Sequence, residues 1–294
     1  MEQIKGVYAA SLSVLDKNLA LDIKNTIKHA ENVIDLGCHG VVFFGSTGQS
    51  QLISLSEKIQ LINELPKSRY KNNFIIGTGL NSLIDTINLM KISKSMGFNN
   101  FLIMPPAYYK YVDEDVINFY SRIIKEINDC KIILYNFEKL CGYKFSVQCV
   151  ENLVQKFPDQ IIGVKDSSYN LFETLKIKNF SIFPGSEAKL LKGLELGCHG
   201  IITATTNVTG HLARKIYDNF HNNLDLSSNQ NLCDVRKSFD KYNLISSLHT
   251  LMAEKNSIYG YLLPPLKLLD QPEKNDLLSD LEKLNFNMEI LKAA

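Results

Sequence analysis

The chain has 294 residues, 45% of them hydrophobic and 21% charged, and carries a formal charge of +1. That length and balance suit one large globular core, since α/β barrels of about 250 residues fold as single domains. The near-zero charge, with no Lys/Arg block anywhere, excludes a nucleic-acid-binding face, and no run of about 18 apolar residues is present to span a membrane.

The first apolar run, Val7–Leu12, predicts a strand. Asp22–Leu36 follows as a helix, because Ile23, Ile27, Ala30, Val33 and Ile34 share one face and Gly37 terminates it. The same alternation then repeats. Strands are expected at Gly40–Phe44, Phe74–Gly77, Phe101–Met104, Ile132–Tyr135, Ile161–Lys165, Phe180–Phe183 and Gly200–Ala204. The helices that follow them are expected at Ser56–Leu65, Leu83–Met96, Glu114–Ile127, Val147–Phe157, Leu171–Ile177, Ala188–Leu196 and His211–Phe220. Strands that are apolar on both faces predict a parallel sheet covered all round, and eight such units close naturally into a barrel. The alternative, an open doubly wound sheet, would place a Gly-rich phosphate turn where Ser11-Leu12-Ser13-Val14-Leu15-Asp16 stands.

Past residue 220 the alternation stops. Asn222–Gln230 is polar, and Leu232–Ala253 and Leu277–Leu291 read as helices separated by Pro264-Pro265. The expected architecture is therefore α/β: a TIM (β/α)8 barrel over residues 1–221 with a C-terminal helical appendage over 222–294.

Six cysteines (Cys38, Cys130, Cys141, Cys149, Cys198 and Cys233) show no Cys-x-x-Cys spacing. They predict free thiols in a reducing compartment. Met1–Gly6 lacks the apolar core of a signal peptide, so the expected location is cytoplasmic. Leu36-Gly37-Cys38-His39-Gly40 recurs as Leu196-Gly197-Cys198-His199-Gly200. Cys and His are good zinc ligands. Both copies, however, fall in helix-to-strand loops, at the end of a barrel that serves stability, so no metal site is expected there.

Barrel chemistry sits at the C-terminal strand ends. Lys165 closes the apolar strand Ile161-Ile162-Gly163-Val164. Held inside the mouth, it would favour the neutral amine, which attacks a ketone to form an imine; alternatively it leans to solvent or pairs with Asp166. Tyr135 ends the preceding strand, either as a proton shuttle or as an aromatic cap on the core. Gly45-Ser46-Thr47-Gly48 offers amides and hydroxyls suited to a carboxylate and lacks the Gly-Lys-Ser/Thr ending of a nucleotide loop.

Four strings in barrel order are Gly-x-Thr-Gly at 45–48, Pro-x-Tyr at 106–108, Tyr-Asn at 135–136 and Gly-x-Lys-Asp at 163–166. Together they resemble the dihydrodipicolinate synthase/N-acetylneuraminate lyase family of Schiff-base pyruvate aldolases. The resemblance runs from about Gly6 to Phe220. It implies that Lys165 forms the imine, that Tyr135 is the general acid/base and that Thr47 relays its proton. It also implies that Ser46, Thr47 and Gly48 hold the pyruvyl carboxylate and that Ile202 touches pyruvate through its backbone. By the same likeness Tyr108 enters a neighbouring subunit's site, making a homodimer or homotetramer, and Gly185 and Glu187 belong to the sugar-binding segment. No cofactor is implied.

Departures from the pattern are informative. Glu138 replaces a usual proline, and Gln49 replaces a usual acidic residue. Leu140 stands where the synthases place an arginine for the carboxylate of aspartate semialdehyde. The segment Gly185-Ser186-Glu187-Ala188 keeps one acidic residue where sialate lyases have two. The expected function is a pyruvate-dependent aldolase or lyase acting on a 2-keto-3-deoxy sugar acid or related 2-oxo acid, with an aldehyde as the other partner. The alternatives are dihydrodipicolinate synthase and a non-catalytic 2-oxo-acid sensor.

Overall fold

The computed structural model describes residues 3–287. Each expected strand forms: β1 (Gly6–Ala10), β2 (Gly40–Phe43), β3 (Phe74–Gly77), β4 (Asn100–Ile103), β5 (Lys131–Asn136), β6 (Ile161–Asp166), β7 (Ser181–Pro184) and β8 (Gly200–Thr203). All pair in parallel in the order β7-β6-β5-β4-β3-β2-β1-β8. The remaining seam is bridged where the His199 N–H donates to the Ile182 carbonyl at 2.9 Å. The sheet is a nearly closed TIM barrel. One side of each strand fills the interior through Val42, Ile75, Leu102, Ile133, Phe183 and Ile202. The other side packs against surrounding helices, which is why the strands are apolar on both faces.

Around the barrel run α1 (Ile23–Asp35), α2 (Leu55–Glu64), α3 (Leu83–Ser95), α4 (Asp113–Glu126), a short α5 (Glu138–Cys141), α6 (Val147–Lys156), α7 (Leu190–Glu195) and α8 (Thr206–His221). Serine or aspartate side chains cap several of these starts: Asp22 for α1, Ser54 for α2, Ser82 for α3 and Ser146 for α6. The helix expected over Leu171–Ile177 does not form. Asp166 accepts the N–H groups of Tyr169, Leu171 and Phe172, which ties this segment back to the end of β6. β6 and β7 are joined by turns instead.

Three helices follow: α9 (Asn229–Asp240), α10 (Leu244–Ala253) and α11 (Gln271–Lys283). The single helix expected over Leu232–Ala253 is broken after Asp240, because Asn243 leaves helical geometry to cap α10 through the N–H groups of Ile245 and Ser246. The helix expected over Leu277–Leu291 begins earlier, at the Asp270–Glu273 capping box. The part of that expectation at 288–291 lies outside the described residues. Val235, Phe239, Leu248, Leu277 and Leu281 form a cluster that also contains Leu12, Ala204 and Val208, so these helices share a core with the barrel wall.

The repeated Cys-His motif does the same backbone work twice. His39 Nδ1 accepts the Val7 N–H at 3.0 Å, and His199 Nδ1 accepts the Ile182 N–H at 3.3 Å. Each imidazole thus satisfies an amide near the N-terminal end of a neighbouring strand. Gly37 and Gly197, at φ 120° and 88°, supply the left-handed turn that precedes each motif.

Two further histidines are buried deeply. His29 sits between the Tyr259 hydroxyl at 3.0 Å and Asn207 Oδ1 at 2.8 Å, and His249 Nδ1 meets the Tyr259 carbonyl at 2.9 Å. Burial pushes both imidazoles down to about 4 from an ordinary 6.5. The unfolded chain therefore binds protons that the native state refuses. Stability is full above about pH 6.5 and falls as pH drops toward 4, by about 1.4 kcal/mol per pH unit for each histidine. Urea unfolding at pH 7 and pH 5 should show this loss, and His29→Gln should make the loss smaller. An unchanged slope in that variant would remove His29 as a source.

Candidate active site

β5 and β6 pair so that Tyr135 lies opposite Lys165, and β6 and β7 pair so that Lys165 lies opposite Phe183. Residues paired across a parallel ladder point to the same face. That face is the barrel interior, where Tyr135 and Phe183 already belong to the filling cluster. Lys165 is only 3% exposed, and its Nζ lies 4.3 Å from the centre of the Tyr135 ring.

Asp166, one residue on, points the other way. Its Oδ1 accepts from Asn136 Nδ2 at 2.8 Å and the Tyr169 N–H at 2.9 Å, and its Oδ2 accepts the N–H groups of Leu171 and Phe172. These bonds, not an ion pair with Lys165, occupy the carboxylate. Asn136 also donates to Asn170 and accepts the Phe145 N–H, so Tyr-Asn and Lys-Asp form one rigid shelf under the two reactive positions.

Opposite them, Ser46–Gly48 forms a single 3-10 turn at the end of β2. Ser46 Oγ lies 3.1 Å from the Tyr135 hydroxyl, and either oxygen can donate. Thr47 is buried beside it. Ser13 Oγ donates to the Gly48 carbonyl at 2.7 Å. A Cβ at Gly48 would come within 2.8 Å of the Ser11 carbonyl, so the turn can approach the first strand only with glycine there. Ile202 belongs to the same interior cluster as Tyr135. The tertiary structure thus brings Lys165, Tyr135, Ser46, Thr47, Gly48 and Ile202 to one barrel mouth.

Three expected site residues lie differently. Glu187 is fully buried and its oxygens are already engaged. Arg236 Nη1 and Thr203 Oγ1 each donate to Oε2 at 2.9 Å, and Thr209 Oγ1 donates to Oε1 at 3.2 Å. Gly185 stands before it, where a Cβ would meet Ser167 Oγ at 2.2 Å. Tyr108 is 89% exposed, packs edge-on against Tyr109 and holds φ at 88°. That conformation is uncommon and costly for a residue with a side chain, and such strain concentrates at functional positions.

The sequence pattern of the Dihydrodipicolinate synthetase family matches residues 3–284. The chain belongs to that family. A 2-dehydro-3-deoxy-D-gluconate/2-dehydro-3-deoxy-phosphogluconate aldolase of Picrophilus torridus is 28% identical over 230 residues, covering 76% of this chain and 85% of the relative. An N-acetylneuraminate lyase of Clostridium perfringens is 29% identical over 224 residues, covering 73% and 76%. The fold matches that of an E. coli K12 prophage protein of the dihydrodipicolinic acid synthase family, solved in complex with pyruvate. The TM-score is 0.87 at 21% identity, over 97% of this chain and 99% of that one. This member of the dihydrodipicolinate synthetase family is an enzyme of the lyase class.

Sequence reasoning missed two residues beside this site. Lys58 of α2 is fully buried and donates to the Thr78 carbonyl at 3.0 Å and the Gly79 carbonyl at 3.1 Å. Burial lowers it from 10.5 to about 7. Its place on the apolar stripe of α2, with Leu55, Leu61 and Ile62, was the available signal. Arg236 comes from α9, and nothing in its local sequence announces a buried partner forty-nine positions away. Among the described residues no helix is long and apolar enough to cross a membrane.

Proposed function

We propose that this enzyme forms or cleaves the C3–C4 bond of a 4-hydroxy-2-oxo acid, the class that contains the 2-keto-3-deoxy sugar acids, with pyruvate as one product or substrate. The observation that carries this reading is Lys165 Nζ lying 4.3 Å from the centre of the Tyr135 ring, whose hydroxyl meets Ser46. An amine, a phenol and a hydroxyl at one mouth are the set that imine chemistry needs.

In the synthetic direction Lys165 Nζ adds to C2 of pyruvate and water leaves, giving the imine. Tyr135, as its phenolate, takes a C3 proton to give the enamine, whose carbon bonds the aldehyde carbon while the same phenol protonates the oxygen. Water then releases the product and restores the amine. Ser46 and Thr47 replenish the Tyr135 proton and, with Gly48 and the backbone of Ile202, hold the pyruvyl end. Glu187 has its oxygens spent on Arg236 and two threonines, so its part in this scheme is to fix the Gly185–Glu187 loop. Leu140 supplies no cation for the carboxylate of aspartate semialdehyde, which weighs against dihydrodipicolinate synthase. Borohydride trapping of pyruvate, with the adduct mapped to Lys165, tests this chemistry. Turnover should also survive EDTA.

The proposal extends Tyr108 into the site of a second subunit, which its exposure and strained backbone support. If so, mixing inactive Lys165→Ala with Tyr108→Phe should restore activity. A mixed pair of subunits holds one site with both lesions and one with neither. Recovery is expected to approach a quarter of wild-type activity when the chains assort randomly into dimers, an order-of-magnitude figure from isologous pairing. Demonstrated subunit exchange with no recovery would remove Tyr108 from this role.

A further inference from the structure

The segment between α10 and α11 reaches back to the barrel mouth by two separate routes. The first starts at Tyr259, whose hydroxyl lies 3.0 Å from His29 Nδ1, while His29 Nε2 lies 2.8 Å from Asn207 Oδ1. Asn207 Nδ2 bonds the carbonyls of Ala10 at 2.8 Å and Ala204 at 2.6 Å. Those partners can only accept, so the orientation of the amide is fixed. Its Oδ1 accepts the Leu12 N–H at 3.1 Å and takes its second hydrogen from His29 Nε2. Burial keeps the ring neutral, so Nδ1 is the acceptor and the Tyr259 hydroxyl donates to it. All three side chains are buried, and every bond along this chain points the same way, so each strengthens the next.

The chain ends where β1 and β8 stop pairing. Their last backbone pair is Ala9 with Thr203, and Asn207 bridges the residues that follow, Ala10 and Ala204. Ala204 comes two residues after Ile202. Leu12, held by Asn207, precedes Ser13, whose Oγ donates to the Gly48 carbonyl at 2.7 Å. The second route is shorter. The Leu263 N–H donates to Gln49 Oε1 at 2.8 Å, and Gln49 is the left-handed residue, at φ 55°, that ends the Ser46–Gly48 turn. The same appendage also borders the mouth itself: Ile245, Pro265 and Leu266 share with Ser46 and Tyr135 the lining of a cavity of about 330 Å³.

We propose that the 259–263 segment of the C-terminal appendage sets the geometry of the elements that grip the pyruvyl carboxylate, with Tyr259, His29, Asn207 and Gln49 as positioning residues. This rests on the pyruvate–imine reading, in which the Ser46–Gly48 turn and the backbone of Ile202 hold that end of the substrate. The four side chains bond the backbone beside those elements, so cutting either route loosens the grip on the carboxylate and leaves the Lys165 amine in place.

The test follows borohydride trapping in the full-length enzyme as a function of ketone concentration, with pyruvate and with methyl pyruvate, whose ester carries no charge. Tyr259→Phe removes one hydroxyl and keeps the ring. The half-saturating pyruvate concentration should rise about three- to tenfold, the range one buried hydrogen bond supplies. That for methyl pyruvate, and the maximal trapping rate, should stay within about twofold, because the amine is unchanged. Gln49→Met cuts the other route and should give the same selective rise, and it decides alone if Tyr259→Phe does not fold. A wild-type enzyme that traps no adduct would overturn the imine reading and this inference with it. A wild-type Lys165 adduct, with an equal change for the two ketones or no change in either folded variant, would overturn this inference alone.

Discussion

Lys165→Ala is expected to abolish the borohydride-trapped pyruvate adduct and to lower turnover by on the order of 10⁴-fold or more, as loss of a covalent nucleophile does. Lys58→Met should leave the adduct in place. The comparison matters because the barrel holds two buried amines, and burial alone would favour the wrong one. Lys58 is pushed down to about 7, which would leave much of it neutral near physiological pH. It is nevertheless fully buried, and both carbonyls it contacts, on Thr78 and Gly79, hold it in place. Lys165 has the geometry instead: it closes its strand at the barrel mouth and lies against a tyrosine whose hydroxyl is already hydrogen-bonded. A reacting amine needs an open approach and a proton carrier as well as a lone pair. Peptide mapping of the reduced adduct decides the matter, and an adduct on Lys58 would reverse the assignment.

Arg236→Met is expected to destabilise the protein by about 3–5 kcal/mol, the usual cost of stranding one member of a buried ion pair. The Glu187 side chain is 0% exposed and that of Arg236 is 8% exposed. Removing the guanidinium leaves the carboxylate with only the hydroxyls of Thr203 and Thr209. Arg236 also donates to Thr203 at 2.9 Å and Thr205 at 3.3 Å, next to the strand that carries Ile202. Urea unfolding should therefore show a lower midpoint, and the double variant Arg236→Met/Glu187→Gln should regain much of the loss, because the stranded charge is gone. A single variant as stable as wild type would mean that the pair is not shielded from water as its burial implies.

Much of the barrel could be read from local sequence. All eight strands form where short apolar runs predict them, because a strand buried on both faces has no room for polar residues. Helices with a clear stripe and a capping side chain, such as Ile23–Asp35, were equally legible. Lys165 and Tyr135 could be named as strand-ending residues with suitable chemistry. Their meeting could not, since it depends on the β5–β6 register that sets them opposite each other. Side chains also decided what periodicity could not. Asp166 ties the amides of Leu171 and Phe172 back to β6, where turns form in place of the expected helix, and Asn243 broke one expected helix into two. Glu187 looked like a ligand group in its own segment, yet a guanidinium from a distant helix claims its carboxylate. Local propensity governs which elements form, because its causes lie within a few residues. Which charges are buried, which amine has an approach and what lines the cavity are set by long-range packing, and only the folded chain brings those partners together.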